Sequence, residues 1–455
     1  MNIKRAVLFL STAIAPFTMA HAQPLNDVIA SAVLNNPQVQ SVMNARNAVF
    51  EEVKQAKGGY LPKIDIGAGV GYEKTKNFPG DDTELKRTEA NLSLNQMLFD
   101  GFRTSSEVAR QSSRLESINH RLREVAEETA LQTASSYLEI LKRESLLEQA
   151  KNTLLTHVRI FDQIKRRSDS GVGTLASIQQ AEGRLALAEV NVLSAENNLL
   201  DAKSTYKRVV GEYPVTELDD PTIEESWIPV SLDQAIETAY QKHPTLKLAT
   251  ADVNSALAQY DAARSLIYPT LNLEVDRTWN DNIDGVESRN EDLTAMIRMR
   301  YNIYNGGADK ARIRQTRHQI DEARNIQSDA ARQTLQSLDL SWNAYQILGR
   351  QLDFLEKHVS STERTRDSYL KQFNIGQRSL LDLLDTENEV FSSQNALNEA
   401  VYDHMLAQYR LLAGTGELLD VLDMNLSSLE NSSFIENVAN ASPTLMEKIK
   451  SINPF

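Results

Sequence analysis

Two stretches of this 455-residue chain repeat one another: residues 25–40 read LNDVIASAVLNNPQVQ, and residues 232–247 read LDQAIETAYQKHPTLK. They align without a gap, so that Leu25 pairs with Leu232 and Pro37 pairs with Pro244. An ordered series of matches indicates an internal duplication, so the fold must contain one structural unit twice. Further matches follow in the same order: Phe99-Asp100-Gly101 with Tyr304-Asn305-Gly306, Val172-Gly173 with Ile375-Gly376, and Gly211 with Gly414.

Each copy predicts the same order of elements. A helix of about thirty residues comes first and ends near Pro62 or Pro269, because proline cannot continue a helix. Two strands follow, then a long helical stretch that ends at Gly211 or Gly414. The predicted strands span residues 63–73 and 88–99 in the first copy and 270–279 and 292–304 in the second, and glycine turns break the long helices at residues 170–175 and 374–378.

The strand segments alternate strictly between apolar and polar residues, as in Ile64, Ile66, Ala68, Val70 and Tyr72 of the first. Alternation over about ten residues is typical of a membrane β-barrel with lipid outside and water inside. A half-buried sheet of a soluble protein has the same period. Bacterial barrels need at least about eight strands, so four strands must be pooled between chains; a dimer would give about eight and a trimer about twelve.

The N-terminus predicts export. Lys4 and Arg5 precede an apolar segment, and Ala20-His21-Ala22 offers the small-x-small pattern of a cleavage site, so we predict a signal peptide at residues 1–22 rather than an anchor. No later segment has the ~20 apolar residues that a membrane helix needs. The chain contains no cysteine and has a net charge of -14. This composition excludes disulfides and cysteine-based sites and disfavours nucleic-acid binding.

The sequence lacks the patterns of catalytic sites. The histidines have no metal-ligand spacing, and we find no nucleophile elbow or phosphate loop. Gly67-Ala68-Gly69-Val70-Gly71 has the letters of a dinucleotide loop but lies inside a predicted strand. We therefore predict no enzymatic activity, no metal and no cofactor.

The helices carry most of the residues. No proline occurs between Pro79 and Pro214 or between Pro269 and Pro443. A continuous helix of roughly 70 residues would be on the order of 100 Å long. Apolar residues at steps of three and four indicate a coiled-coil seam: Leu335, Leu338, Trp342, Tyr345, Leu352 and Val359.

The duplicated helix–strand–strand–long-helix unit resembles the TolC family of outer-membrane efflux and type I secretion channels. Residues 373–385, FNIGQRSLLDLLD, are similar to the second helical tip of that family. Residues 94–101, LNQMLFDG, and 301–307, YNIYNGG, look like its strand-to-helix junctions. The resemblance covers residues 25–419.

The resemblance implies a mainly α fold with a small β part: a homotrimer whose twelve-stranded outer-membrane β-barrel continues as a periplasmic α-helical coiled-coil barrel. The repeats would span residues 23–213 and 231–419, with a linker at 214–230 and a C-terminal segment at 420–455 in the belt around the tunnel. Implied partners are outer-membrane lipid, a periplasmic adaptor (membrane fusion) protein and an inner-membrane ABC or proton-driven transporter. The cargo, protein or small molecule, stays open. The alternative is a periplasmic coiled-coil scaffold with a small soluble sheet.

Candidate site residues cluster at the predicted tips. Asp382 and Asp385 are three residues apart and share a helix face; a ring of such carboxylates favours cations, whereas the alternative is a solvated acidic face near a helix N-terminus. The resemblance favours a periplasmic gate and selectivity ring. It also implies a closed-state latch in which Arg378 pairs with carboxylates of a neighbouring helix; Gln179 stands where the family has an aspartate, with Glu182 one turn on. The latch residues are Arg378, Gln179, Glu182 and Phe373, and the adaptor-docking tips are Val172, Gly173, Thr174, Leu175, Ile375, Gly376 and Gln377.

Overall fold

A computed structural model describes residues 24–76, 79–80, 82–214 and 218–424. The predicted signal peptide lies outside the described residues, as do residues 215–217 of the linker and residues 425–455 of the C-terminal segment. None of the helices in the described part of the chain combines the length and apolar character of a membrane span.

The two repeats contain the same elements in the same order, which confirms the predicted duplication and the mainly α fold class with a small β part. The first has α1 (Leu25–Asn35), α2 (Pro37–Gly58), β1 (Lys63–Thr75), β2 (Thr83–Phe99), α3 (Arg103–Asp169) and α4 (Leu175–Val210). The second has α5 (Leu232–Lys242), α6 (Pro244–Arg264), β3 (Thr270–Asp281), β4 (Arg289–Arg300), α7 (Ala308–Asn374) and α8 (Leu380–Thr415). A short α9 (Leu418–Val421) follows, and 3-10 turns occupy Glu225–Trp227 and Ser265–Ile267.

The single helix predicted at the start of each repeat is wrong, because each is split in two by a proline. Asn36 is extended, with φ -66° and ψ 126°, and its side chain accepts a hydrogen bond from the amide of Gln38 at 2.8 Å. Pro37 is then the first residue of α2. Proline has no N–H and its ring collides with the preceding turn, so it fits only where a helix begins. His243 and Pro244 repeat this break between α5 and α6.

The four strands form one antiparallel sheet in the order β1-β2-β3-β4. The central pairing, β2 with β3, joins the two repeats and leaves β1 and β4 as edges of the sheet. The prediction that the last strand reaches residue 304 is wrong, since β4 ends at Arg300, opposite Thr270. Pro269 precedes Thr270 and has no N–H to donate, so the ladder cannot extend further.

The two faces of the sheet differ in polarity. One cross-strand row contains Ile64, Leu94, Val275 and Ala295, and the next row on the other face contains Asp65, Ser93, Asp276 and Thr294. The apolar face is not covered within the chain: Ile66 is 85% exposed and Ile297 is 68% exposed. An uncovered apolar surface of this kind marks contact with lipid or with another molecule.

The helices form a layer in which α2, α3, α6 and α7 are neighbours in that order, while α4 packs along α3 and α8 along α7. α3 and α7 have 67 residues each, and a helix of that length is about 100 Å long. The largest core cluster lies near the middle of α3, where α1, α5, α8 and α9 converge. Its fully buried members include Tyr137, Tyr206, Leu338, Leu411 and Leu418.

The glycine that ends the last long helix is not the predicted one. α8 continues to Thr415, and Gly416, with φ 78°, provides the left-handed residue after it. Gly414 lies inside the helix, where a Cβ would come within 3.1 Å of Leu338 Cδ1. Gly414 is therefore a site of close packing, whereas its repeat partner Gly211, with φ 102°, does end α4.

Candidate functional site

The two hairpin turns, between α3 and α4 and between α7 and α8, use the same backbone device. The amide of Val172 donates to the carbonyl of Arg167 at 3.0 Å, and the amide of Gln377 donates to that of Gln372 at 2.9 Å. This bond closes a Schellman motif, which needs a left-handed residue just before the donor. Gly376 fills that position with φ 79°, and Gly171 fills it in the first turn with φ 80°. Both lie within the predicted glycine turns.

The residues predicted to dock an adaptor lie at the ends of both hairpins. Val172 is 81% exposed, and Leu175 and Ile375 are also largely exposed. The others are exposed as well: Gly173, Thr174, Gly376 and Gln377. Exposed apolar side chains at the end of a hairpin are available to a partner.

Asp382 takes part in a helix cap. Its backbone amide donates to Ser379 Oγ at 3.2 Å, and its own Oδ2 accepts from the amide of Ser379 at 3.3 Å. This reciprocal pair is a capping box, which satisfies two N–H groups at the start of α8. Arg378 Nη1 also lies 3.8 Å from Asp382 Oδ2. Within one chain, Asp382 therefore stabilises the helix end.

Asp385 contacts the other hairpin through a residue that the sequence did not suggest. Arg184 on α4 places Nη2 2.9 Å from Asp385 Oδ1 on α8. The two residues are 201 positions apart. No local spacing reveals this contact, because it depends on how α4 and α8 lie side by side. The Arg184–Asp385 ion pair ties the two hairpins together.

The side chain of Arg378 contacts the two helices that flank its own turn, α7 and α8. Its guanidinium lies 4.2 Å from the ring centroid of Tyr369, and its Nε donates to Gln372 Oε1 at 3.0 Å. Within the described chain, the predicted partners Gln179 and Glu182 are exposed on α4 and do not contact it. Their pairing with Arg378 stays a prediction.

Phe373 belongs to a small apolar core that joins the tips. It is 6% exposed and packs in a cluster with Ile160, Ile164, Ala181, Leu380, Leu383 and Leu384. The Arg167 guanidinium lies 4.7 Å from the Phe373 ring centroid, and its Nη2 donates to the carbonyl of Asn374 at 3.0 Å. Arg167 therefore satisfies a free carbonyl at the end of α7 while stacking on an aromatic face.

A polar cleft of about 380 Å³ lies between α7 and α8 above the tip. Asp382, Asp385 and Glu389 provide its carboxylates, and Thr365 and Thr386 are among its hydroxyl groups. Among the described residues, no group of three or more His, Asp or Glu side chains has the arrangement of a metal site. The cleft is acidic and open along the helices.

A partly buried ion pair lies near this cleft, between the half-buried Arg366 of α7 and the buried Glu387 of α8, with Nη1 3.4 Å from Oε2. Burial raises the pKa of Glu387, and the positive charge of Arg366 opposes that rise. Loss of Arg366 would leave the buried charge of Glu387 uncompensated, so this contact stabilises the packing of α8 against α7.

Known proteins resemble most of the chain. A family model described as outer membrane efflux protein matches residues 28–212 and 235–423. The chain is 27% identical over 418 residues to the outer membrane efflux protein BepC of Brucella suis biovar 1, covering 91% of this chain and 90% of BepC. It is 24% identical over 433 residues to the outer membrane protein TolC of Vibrio cholerae, covering 92% and 97%.

Among solved structures, the CmeC outer membrane channel of Campylobacter jejuni has a TM-score of 0.78 with 15% sequence identity, covering 89% of this chain and 90% of CmeC. At this identity the likeness concerns the fold alone. The fold is that of channel proteins.

Proposed function

The chain belongs to the outer membrane efflux protein family, and on that basis we propose that it is the outer-membrane exit duct of a tripartite export machine. It carries protein or small-molecule cargo to the outside from an inner-membrane transporter, through a periplasmic adaptor. The observation that carries this function is a sheet with an uncovered apolar face, continued by two helices of 67 residues. The duct has no catalytic role.

The sheet has the dimensions of an outer-membrane wall. The face of β3 that carries Leu271, Leu273 and Val275 ends at Trp279, eight residues after Leu271. Arg277 interrupts this face near its end and pairs with Glu291 of β4 at 2.8 Å. At ~3.3 Å per residue and a tilt of about 40°, the distance from Leu271 to Trp279 gives a height of roughly 20 Å. Trp279 at one end and Tyr301 and Tyr304 at the other lie where aromatic girdles of such barrels occur. These features support the outer membrane as the location, with the helices extending into the periplasm.

A homotrimer completes the molecule. Three copies of the sheet give about twelve strands, enough for a barrel whose edges β1 and β4 are paired between copies. The helix layer also ends in α7, where Leu340, Ile347 and Phe354 follow one another every seven residues and are exposed. These three residues form the α7 seam. An exposed heptad seam lacks a partner helix, and the next copy supplies it.

The tips of three such chains form the gate. We place Asp382 and Asp385 of each copy around one constriction, where the carboxylates favour cations. The Arg184–Asp385 ion pair keeps the two hairpins of each chain in the closed arrangement, and Arg378 faces Gln179 and Glu182 of the next copy. Val172, Leu175 and Ile375, with their neighbouring glycines, dock the adaptor.

Conductance of the purified protein in planar lipid bilayers tests both the duct and the gate. We expect the wild-type protein to conduct weakly, and Arg184→Ala and Arg378→Ala each to raise the open fraction. Because exposed ion pairs are worth about 0.2–1 kcal/mol, the increase is up to about fivefold per variant. Asp382→Ala combined with Asp385→Ala lowers the preference for cations.

Arg364→Ala is the matched control, since Arg364 is exposed on α7 and, among the described residues, donates its hydrogen bonds to Ser360 and Ser361 of its own helix. Folded trimers that never conduct would contradict the proposal of a duct and favour the alternative, a periplasmic scaffold. Conducting trimers whose open fraction is unchanged by both arginine variants would overturn the latch alone. A deletion strain then assigns the cargo: loss of a secreted protein indicates protein export, and hypersensitivity to dyes and detergents indicates small-molecule efflux.

A further inference from the structure

The first three turns of α7 are basic in a chain that is acidic as a whole. Between Ala308 and His318 there are four basic residues and one acidic residue, whereas the full chain has a net charge of -14. Lys310, Arg314 and Arg317 are exposed. Their spacing of four and three residues places them on one face of the helix. We refer to these three residues as the basic stripe.

The basic stripe is not neutralised within the described part of the chain. Asp309, beside Lys310, accepts a hydrogen bond from Asn305 at 3.1 Å, and Arg312 donates to Gln315 at 2.9 Å. Asp321, one turn after Arg317, pairs with Arg324 at 3.8 Å. The arginines at the start of α3 differ, because Arg110 pairs with Glu107 at 2.6 Å and Arg114 pairs with Glu52. The positive charge of the basic stripe is therefore available to an external anion.

The basic stripe begins directly below the lipid-facing surface. Tyr301, Ile303 and Tyr304 connect β4 to α7 and are all exposed, Ile303 by 87%. At ~1.5 Å per residue, Lys310, Arg314 and Arg317 lie about 3, 9 and 14 Å along the axis from the start of α7. The headgroup layer of a bilayer is about 5–8 Å thick on each side, and long basic side chains extend toward it.

The basic stripe also lies on the outer side of the helix layer. Thr316 and Ile320 are buried on the face toward α6, and the stripe is offset from that face. Arg324, seven residues after Arg317, lines a groove of about 620 Å³ with Tyr240 of α5 and Glu116 of α3. The interior of a duct must stay open, so the side of the layer that carries α5 is its outside.

We propose that the basic stripe binds the phosphate headgroups of anionic phospholipids in the membrane leaflet that faces the periplasm. This inference rests on the proposed outer-membrane location. Charge complementarity and continuity with the lipid-facing aromatic residues favour lipid as the occupant.

Native mass spectrometry of the detergent-purified trimer, titrated with phosphatidylglycerol or phosphatidylcholine, tests the proposal. We expect the wild-type trimer to bind phosphatidylglycerol in preference to phosphatidylcholine. Lys310→Gln with Arg314→Gln and Arg317→Gln lowers that preference by at least about tenfold, since each basic residue near an anionic surface contributes roughly a fivefold factor. Lys310→Arg with Arg314→Lys and Arg317→Lys retains it.

The matched control is Arg332→Gln with Arg350→Gln and Lys357→Gln, which removes the same charge from α7 far from the membrane and leaves the preference intact. Equal binding of both lipids by the wild type, or an unchanged preference in the stripe variant, would overturn the proposal. So would a stripe variant that dissociates into monomers without added lipid, which would make the stripe a subunit contact. Conductance of the stripe variant in neutral bilayers tests the duct separately.

Discussion

α3 and α7 occupy the same place in the two repeats and have the same length, yet they differ in how much of their surface is buried. Nineteen residues of α3 are buried, compared with six of α7. α3 has α2 on one side and α6 on the other, whereas α7 has α6 on one side and ends the layer. Duplication thus conserves the path of the chain but not its surroundings. α7, at one end of the layer, is the helix that we propose to pack against another copy of the chain.

We expect the largest effect from a substitution in the α7 seam, where it should abolish the contact between copies. Ile347→Asp places a charge in the contact that we propose between copies, and burying an unpaired charge is too costly for the trimer to persist. We expect loss of the trimer, measured by size-exclusion chromatography with light scattering in detergent. Gln346→Asp adds the same charge one residue earlier on a different face and leaves the trimer intact. Trimers of normal stability from Ile347→Asp would contradict the seam.

A buried carboxylate on α3, Glu127, makes the stability of this helix depend on pH. Glu127 is 4% exposed, and burial raises its pKa to about 7 although Arg123 lies 3.5 Å away and the amide of Leu419 donates to it. Asp420, which pairs with Arg123, opposes that attraction. Because the pKa is raised above its unfolded value, the stability from this group is full below about pH 4.5 and is lost as the pH rises through about 7.

Glu127→Gln removes this titration. Relative to the wild type, the variant gains up to about 3 kcal/mol of unfolding free energy between pH 5 and pH 8. Chemical denaturation followed by circular dichroism at both pH values measures the gain. Glu356→Gln, at an exposed position of α7, changes neither value. A pH-independent difference between Glu127→Gln and the wild type would show that Glu127 stays charged throughout.

The smallest expected effect concerns one hydroxyl group on each helix. Tyr137 on α3 is fully buried and donates a hydrogen bond to the carbonyl of Asp219 at 2.8 Å. Tyr137→Phe should cost about 1 kcal/mol of unfolding free energy. Tyr345 on α7 is half-buried and its ring stacks on that of His404, with the ring centroids 5.2 Å apart. Tyr345→Phe preserves this contact and should cost less. Equal losses in thermal unfolding would mean that both hydroxyls matter alike.

The sequence predicted the repeated unit because its two copies still match residue by residue, and it predicted the strands because their alternation is local. Alternation in Ile64, Ile66 and Val70 reports the two faces of a strand directly. The break at Pro37 was missed, although proline at the first helical position is a known signal, because the apolar pattern continues across it. β4 ends at Arg300 because Pro269 precedes the partner strand β3. The alternation within β4 itself gives no information about Pro269.

The candidate site was predictable in its location but not in its contacts. The resemblance gave the tips, and the structure brings Asp382, Asp385 and Phe373 to them. Arg184 was missed because its contact with Asp385 follows from the packing of α4 on α8. The stacking of Arg378 on Tyr369 was missed for a similar reason, since side-chain direction decides it. The arrangement of Gln179 and Glu182 against a second copy stays a prediction.

The unpaired edges β1 and β4 determine how the protein matures. A lone chain exposes two rows of free N–H and C=O groups, which pair readily with any strand that arrives. Closure then requires three chains to meet, so its half-time shortens as the concentration of newly exported chains rises. A slowly synthesised chain waits longer with its edges open. Periplasmic chaperones that bind the unassembled chain would therefore be needed most at low expression, when encounters between copies are rarest.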